Sequence, residues 1–324
     1  MTSLDMYKRP LRVERVALDV AKNAGVELFM ARADEIHPLA SGNKFYKLKP
    51  HFDYARKNGI EQLLSFGGAF SNHIHALALM ANEYDFQSMG IIRGEAEYAK
   101  NPTLTAARNA GMTLEFVTRK NYKLRDDENY LTALGKRFPQ ALIIPEGGSS
   151  PLAVAGCTEL SKDINAQHKS DILTIASGTG ASFAGLVCGL EETQQAIGYA
   201  VLKDQSLEER IASFIAAENA EATHFNRYSI VQADYGGYAK FDDTHLVFIL
   251  DWLEQTGILL DPIYTSKMCR RLVEQIVACE FARGTSITMV HSGGLQGWFG
   301  MQDNVMKLAG ESSWHRIQSY LQDK

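Results

Sequence analysis

Cysteine is scarce and scattered in this chain. Its four thiols, Cys157, Cys188, Cys269 and Cys279, form no Cys-x-x-Cys pair and have no nearby histidine. That pattern excludes a disulfide framework and a zinc set and reads as reduced thiols. Long apolar runs are missing too: nowhere do about 18 apolar residues follow one another. The N-terminal stretch MTSLDMYKRPLRVERVALDV mixes acidic and basic residues without an apolar core. Neither a membrane span nor a secretory signal is read from it, and a cytoplasmic location is the default expectation. Positive charge is not in excess, with 33 Lys and Arg against 38 Asp and Glu, a net charge of −5 and a pI near 6.0. A nucleic-acid footprint needs clustered surplus cations, and none appears. Low-complexity linkers and repeats of about 20 to 50 residues are lacking as well, so a domain boundary has to come from topology.

What is present is an alternation. At 324 residues and 45% hydrophobic content the chain is long for one core, and two lobes are expected. Short β-rich runs recur at Gln62 to Phe66, Ser88 to Arg93, Leu114 to Thr118, Ala141 to Pro145, Ile172 to Ala176, Ser229 to Ala233 and Ile287 to Val290, with helix-compatible stretches between them. This rhythm predicts an α/β fold with mostly parallel sheet. Three runs end in glycine-rich turns, SFGGAFSN, SGTGAS and HSGG, and loops at the carboxyl ends of parallel strands are where such sheets gather ligands.

The segment HPLASGNKFYKLKPHF places a loop before Asn43 and Lys44, after which Phe45, Leu48 and Phe52 recur at helical spacing. Asn43 is the candidate N-cap. Lys44 then sits in the first turn, at the positive end of the helix dipole, where an ammonium is disfavoured and a neutral, nucleophilic amine is favoured. Pro50 is expected to kink this helix or start a second one. Taken alone, Lys44 and Lys47 read as ordinary solvated helix lysines.

The stretch from Ser177 to Gly185 offers successive backbone N–H groups and a helix N-terminus, a fit for a phosphate dianion. A dinucleotide fingerprint starting at Gly178 would require a small residue where Phe183 stands, and no Gly-Lys-Ser or Gly-Lys-Thr closes a P-loop. The phosphate belongs to something smaller. Ser71 and Asn72 fall at a helix start, where a capping role alone would account for them. His73 and His75, two apart, face different sides of that helix, poor geometry for a shared metal; one is expected buried and the other solvated.

Together the ordered motifs SGNKFYKL, FGGAFSNH, IPEGG, SGTGASFAGL, DPIYTSKM and HSGGLQGWFG resemble the 1-aminocyclopropane-1-carboxylate deaminase and D-cysteine desulfhydrase family, over nearly the whole chain. The resemblance implies a tryptophan synthase β-like fold: two domains, each an open twisted, mostly parallel sheet with helices on both faces. Residues 52–156 would form the smaller domain, and 1–51 with 157–324 the larger, cofactor-binding one. It implies pyridoxal 5′-phosphate attached to Lys44 as a Schiff base, with Asn72 at its phenolic oxygen. Gly178, Thr179, Gly180, Ala181 and Ser182 would stand around its phosphate and Ser292 opposite its ring nitrogen. Ser71, Asn72 and His73 would hold the carboxylate of a small amino acid, Ser71 also assisting proton transfer, with Tyr264 and Tyr238 lining the substrate pocket. A homodimer without a metal is implied as well.

Two positions separate the family's branches. The ring-opening deaminases resemble Asp-Pro-x-Tyr-Glu and His-Leu-Gly-Gly, the desulfhydrases Asp-Pro-x-Tyr-Thr and His-Thr-Gly-Gly; this chain has Tyr264-Thr265 and His291-Ser292. A carboxylate opposite the pyridine nitrogen keeps it protonated and a strong electron sink, whereas a hydroxyl leaves it neutral. The hydroxyl favours β-elimination, with D-cysteine to pyruvate, hydrogen sulfide and ammonia as the leading expectation and opening of 1-aminocyclopropane-1-carboxylate as the alternative. A non-catalytic protein binding the cofactor or another phosphometabolite is the alternative of a different class. Departures from the family pattern are Ser266 for a glycine, Tyr46 where Arg is common, the absence of tryptophan from Ser71 to Lys120, and Glu146, read as an exposed turn carboxylate.

Overall fold

All seven predicted runs are strands to within about two residues at either end, and three more join them. The computed structural model describes residues 4–218, 226–237 and 241–322. One sheet has six strands, β1 (Val13–Val16), β2 (Glu27–Ala31), β7 (Ile172–Ser177), β8 (Gln195–Ala200), β9 (Tyr228–Gln232) and β10 (Ser286–Val290), in the order β1-β2-β10-β7-β8-β9. The other has β3 (Gln62–Gly68), β4 (Gln87–Arg93), β5 (Thr113–Val117) and β6 (Ala141–Ile144), ordered β5-β4-β3-β6. Every pairing is parallel except β1 with β2.

Alternation along each central strand explains why both sheet faces are covered. In β7, Leu173 and Ile175 join the cluster of Phe183 and Ala184 on α8 (Ala181–Cys188). Ile172 and Ala176 turn the other way, to Met268, Leu272 and Ile276 of α11 (Thr265–Val277). In β3, Leu63 faces Leu77 of α3 (Asn72–Glu83), while Leu64 and Phe66 pack with Tyr122 and Leu134. These runs are therefore buried on both faces, and read as continuous apolar stretches.

The chain passes between the sheets through two helices, α2 (Asn43–Lys57) and α7 (Pro151–Gln167). Positions 51/52 and 156/157 both lie inside this pair. Of the two expectations for Pro50 the start of a second helix is not met, since α2 runs through it as one helix. Proline removes the N–H that would meet the carbonyl of Tyr46, and that carbonyl is where α7 comes closest: a Cβ on Gly156 would stand 1.9 Å from Tyr46 O and 3.0 Å from Pro50 Cγ. The proline is thus accommodated at a backbone contact that only glycine permits.

All four cysteines are free thiols. Among the described residues no helix is long and apolar enough to cross a membrane, and no group of His, Cys, Asp and Glu is placed to hold a metal ion.

Candidate active site

The strand ends of the two sheets face a shared cavity of about 750 Å³. Its wall takes Lys44 and Lys47 from α2, Ser71, Asn72 and His73 from the β3–α3 turn and the start of α3, Ser177 to Gly180 and Ser182 from the β7–α8 turn, Tyr264 before α11, and Ser292 after β10, whereas Ala181 is buried behind the wall. Residues far apart in sequence converge here because parallel strands all deliver their C-terminal loops to one end.

Lys44 lies in the first turn of its helix, as expected, but Asn43 is not the cap. Gly42 is, with φ 71° and ψ −147°, and its N–H bonds the carbonyl of Ala33 at 2.9 Å. Asn43 is the first helical residue instead. Its amide donates to Ser182 Oγ at 2.7 Å and its carbonyl accepts from Lys44 Nζ at 2.9 Å, tying the lysine turn to the start of α8. Burial pulls the Lys44 amine down to about 8. Roughly a tenth of it is then neutral at pH 7, against less than one in a thousand for an ordinary lysine.

Lys47, which in sequence reads as an ordinary lysine, also lines the cavity. It is 2% exposed, and its ammonium donates to Ser149 Oγ at 3.0 Å and Thr179 Oγ1 at 3.4 Å. Burial, and then the charge of Lys44, lower it to about 7. The signal was available: Lys44 and Lys47 are three apart on a helix, hence neighbours on one face.

The glycine-rich loop is shaped for a small anion. Gly180 has φ +91°, and a Cβ there would meet Ile211 at 2.9 Å; it caps α8, whose first amides have no intrahelical acceptor, and it lines the cavity with Ser182. Arg210 steadies the loop by donating to the carbonyl of Thr179 at 3.1 Å. Ser177 Oγ is buried with no hydrogen-bond partner.

Across the cavity, Ser71 does cap α3, accepting the N–H of Ile74 at 3.3 Å, and it also lines the cavity, so capping does not exhaust its role. Asn72 accepts from Gln296 Nε2 at 2.7 Å, which leaves its own NH2 as a donor. His73 is buried. Ser65 Oγ donates to the carbonyl of Ile144 and so must accept Nε2–H of His73, both at 2.8 Å. This network assigns the tautomer and leaves Nδ1 a bare acceptor with no partner. Burial, with the charges of Lys47 and Lys44, holds the imidazole well below the usual histidine range, that is, neutral. His75 is half-buried, not solvated.

Thr265 Oγ1 and Ser292 Oγ are 3.3 Å apart, and the Ser292 N–H donates to Thr265 Oγ1 at 3.4 Å. Asp261 is close by, but its oxygens accept the amides of Ile263, Tyr264 and Thr265 at 2.7 to 3.0 Å, which builds the start of α11.

No family model matches the chain. Among curated proteins it is 28% identical to the D-cysteine desulfhydrase of Klebsiella pneumoniae subsp. pneumoniae, over 86% of this chain and 90% of that one. It is 26% identical to the mitochondrial bifunctional D-cysteine desulfhydrase/1-aminocyclopropane-1-carboxylate deaminase of Arabidopsis thaliana, over 90% of this chain and 78% of that one. The solved structure of an ACC deaminase homologue superposes with a TM-score of 0.81 at 23% identity, covering 94% of this chain and 95% of that one. The chain is a relative of these desulfhydrases and deaminases. It shares their tryptophan synthase β-like fold.

Against that family the departures take on definite positions. Tyr46 donates to Asp163 at 2.7 Å, on the α2–α7 seam and away from the cavity. Ser266 is buried and bonds His245 at 3.0 Å. Glu146 is not the free turn carboxylate expected from sequence. One of its oxygens accepts from Tyr122 at 2.6 Å, the other pairs with Arg125 at 2.5 Å, and it lines the cavity mouth. Tyr122 and Arg125 lie more than twenty residues upstream, so the turn sequence carries no sign of them. Tyr238 lies outside the described residues. Its neighbour Gly237 lines the cavity, held by the buried ammonium of Lys267, which donates to the carbonyls of Asp234 and Gly237 at 2.7 Å.

Proposed function

We propose that this chain carries out a pyridoxal 5′-phosphate-dependent β-elimination of a small amino acid, with D-cysteine to pyruvate, hydrogen sulfide and ammonia as its reaction. Elimination and deamination together consume one water and need no oxidant. The hydroxyl pair of Thr265 and Ser292 carries the reading. At that end of the cavity the two hydroxyls are 3.3 Å apart, and the neighbouring carboxylate of Asp261 is bonded to three backbone amides.

The cavity's own chemistry fits the cofactor. Two lysines with depressed pKa values and an orphaned Ser177 hydroxyl are buried donors that a phosphorylated ligand can satisfy. In this reading Lys44 is the covalent attachment point. The amides of Gly178 to Ser182 and the ammonium of Lys47 hold the phosphate, Asn72 donates to the phenolic oxygen, and Ser292 with Thr265 meets the ring nitrogen.

Bound there, the cofactor supplies an electron sink for the substrate's α-carbon. The rest is the work of the chain. Ser71 and the first amides of α3, which have no intrahelical acceptor, hold the α-carboxylate. The Lys44 amine, neutral near pH 8, takes the α-proton. Tyr264, packed 3.4 Å from the Cβ position of Gly178, lines the pocket as a hydroxyl for the departing group. Hydroxyls at the ring nitrogen give a weaker sink than a carboxylate would, which suits rapid loss of a thiolate and suppresses racemisation.

A panel of D- and L-cysteine, D-serine and 1-aminocyclopropane-1-carboxylate, read by 2-oxo acid release, tests this with wild type and Lys44→Ala. D-cysteine should be fastest and the variant inactive. Faster turnover of 1-aminocyclopropane-1-carboxylate than of any D-amino acid would reassign the substrate, and unchanged activity in the variant would remove the mechanism.

A further inference from the structure

The proposed reaction leaves one guanidinium at the cavity mouth unused. Arg93 ends β4 directly beside Gly68 of β3 in the parallel register. Its Nη2 comes within 3.4 Å of where a Cβ on Gly68 would stand. The side chain therefore reaches over the end of β3, toward the turn that leads to Ser71, and it lines the cavity.

What holds it there is a ring, not an acid. The Arg93 guanidinium lies over Tyr122, 5.6 Å from the ring centroid, and Tyr122 is buried with its hydroxyl fixed on Glu146. Glu146 spends its second oxygen on Arg125, which also reaches Asp126 at 3.5 Å. On the far side of the cavity Arg210 is paired with Asp204. Arg93 has no carboxylate within ion-pair distance among the described residues. Its fork of donors is thus positioned by stacking, uncompensated in charge, and open to the space that takes the substrate, which is the arrangement that binds a carboxylate bidentately.

We infer that Arg93 is a specificity-determining residue that binds a negative charge on the substrate beyond the α-carboxylate: the departing thiolate in the proposed reaction, and a distal carboxylate in an amino acid that carries one. This deepens the proposed elimination and rests on it. The α-carboxylate has its own receptor in Ser71 and the α3 amides, and a guanidinium beside that receptor selects for what lies further along the molecule.

Aspartate and alanine are the probes, because they differ by the distal carboxylate and neither carries a ready leaving group. Calorimetric titration of the holoenzyme, wild type and Arg93→Gln, should show aspartate binding about tenfold or more tighter than alanine of the same configuration in the wild type. Arg93→Gln should erase that advantage and leave alanine within about twofold. Equal binding of the two in the wild type would overturn the inference. So would equal weakening of both in the variant, which would put Arg93 on the α-carboxylate, and so would binding of neither. Borohydride trapping of the cofactor on Lys44 reports separately on the underlying reading. A holoenzyme that traps on Lys44 yet shows no aspartate preference sinks only the role of Arg93.

Discussion

Gly42→Ala is the substitution with the most local consequence for the site. Gly42 has φ +71° and ψ −147°, a region essentially closed to residues with a side chain, which costs roughly 1–3 kcal/mol. Strain is only part of the effect. A Cβ at position 42 would stand 1.9 Å from the carbonyl oxygen of Ser292, 2.1 Å from its carbon and 2.5 Å from the nitrogen of Gly293. All three are backbone atoms, so no rotamer change relieves the overlap, and overpacking of this kind costs roughly another 1–3 kcal/mol. Relief requires parting the Lys44 turn from the Ser292 turn, which also disturbs Thr265 through its bonds to Ser292. Gly59 is the internal control: its φ is +66°, but nothing lies within 4 Å of the Cβ position, so alanine there costs only the backbone strain, about 1 kcal/mol. Urea unfolding of both variants should show Gly42→Ala destabilised by roughly 2–6 kcal/mol relative to wild type and clearly more than Gly59→Ala. A cofactor titration by absorbance should show weakened binding for Gly42→Ala alone. Equal destabilisation of the two variants, with unchanged cofactor affinity, would refute the argument that the two turns are in backbone contact.

The depressed lysines make pH a direct probe. Neutral Lys44 should increase through about pH 8, not through the ordinary 10.5, so borohydride trapping of pyridoxal at residue 44, quantified by mass spectrometry, should follow that midpoint; a midpoint near 10 contradicts the buried setting. The stability sign follows. Between the folded values near 7 and 8 and the unfolded value, the unfolded chain holds the protons, so the urea midpoint of the cofactor-free protein should rise from pH 7 to 9 and fall as pH drops through 7. Lys47→Met should weaken pyridoxal 5′-phosphate about ten- to a hundredfold through loss of a charge-assisted contact, yet hardly change pyridoxal, which lacks the phosphate. Equal effects on both ligands would move Lys47 away from the phosphate.

The parts of this fold that were legible in sequence are those written locally. The strands of both sheet centres carry runs of apolar residues because helices cover both their faces, and these were found. Three strands were not. In β8, Gly198 interrupts the run because Phe183 of α8 packs where a Cβ would be, at 2.9 Å. In β1 the sequence VERV has a half-buried, ion-paired edge instead of an apolar core. β2 follows a six-residue helix, α1 (Asp19–Ala24), with hardly a break. The site divides in the same way. Lys44, the Ser71 turn and the glycine loop carry motif signatures, whereas Lys47, Arg93 and the tie between Glu146, Tyr122 and Arg125 are set by tertiary contact. Asn43 was misplaced by one residue because capping propensity favours asparagine, while the backbone angles needed beside Ser292 admit only Gly42.

Charge accounting in the cavity says why two lysines are tolerated together. Among the described residues each carboxylate in or beside it is already engaged: Asp261 by three amides, Glu146 by Tyr122 and Arg125, Asp126 by Arg125, and Asp204 by Arg210. Lys44 and Lys47 therefore face each other without a matching acid, and burial lowers both. A neutral ligand would leave that cost in place. A phosphate dianion against Lys47 and the α8 amides would draw a proton onto Lys47 and hold it there. The coupling by which the charge of Lys44 lowers Lys47 is reciprocal, so a permanently charged Lys47 pushes Lys44 further toward the free amine. The phosphate end of the cofactor would then help to set the nucleophilicity of the lysine that binds its other end.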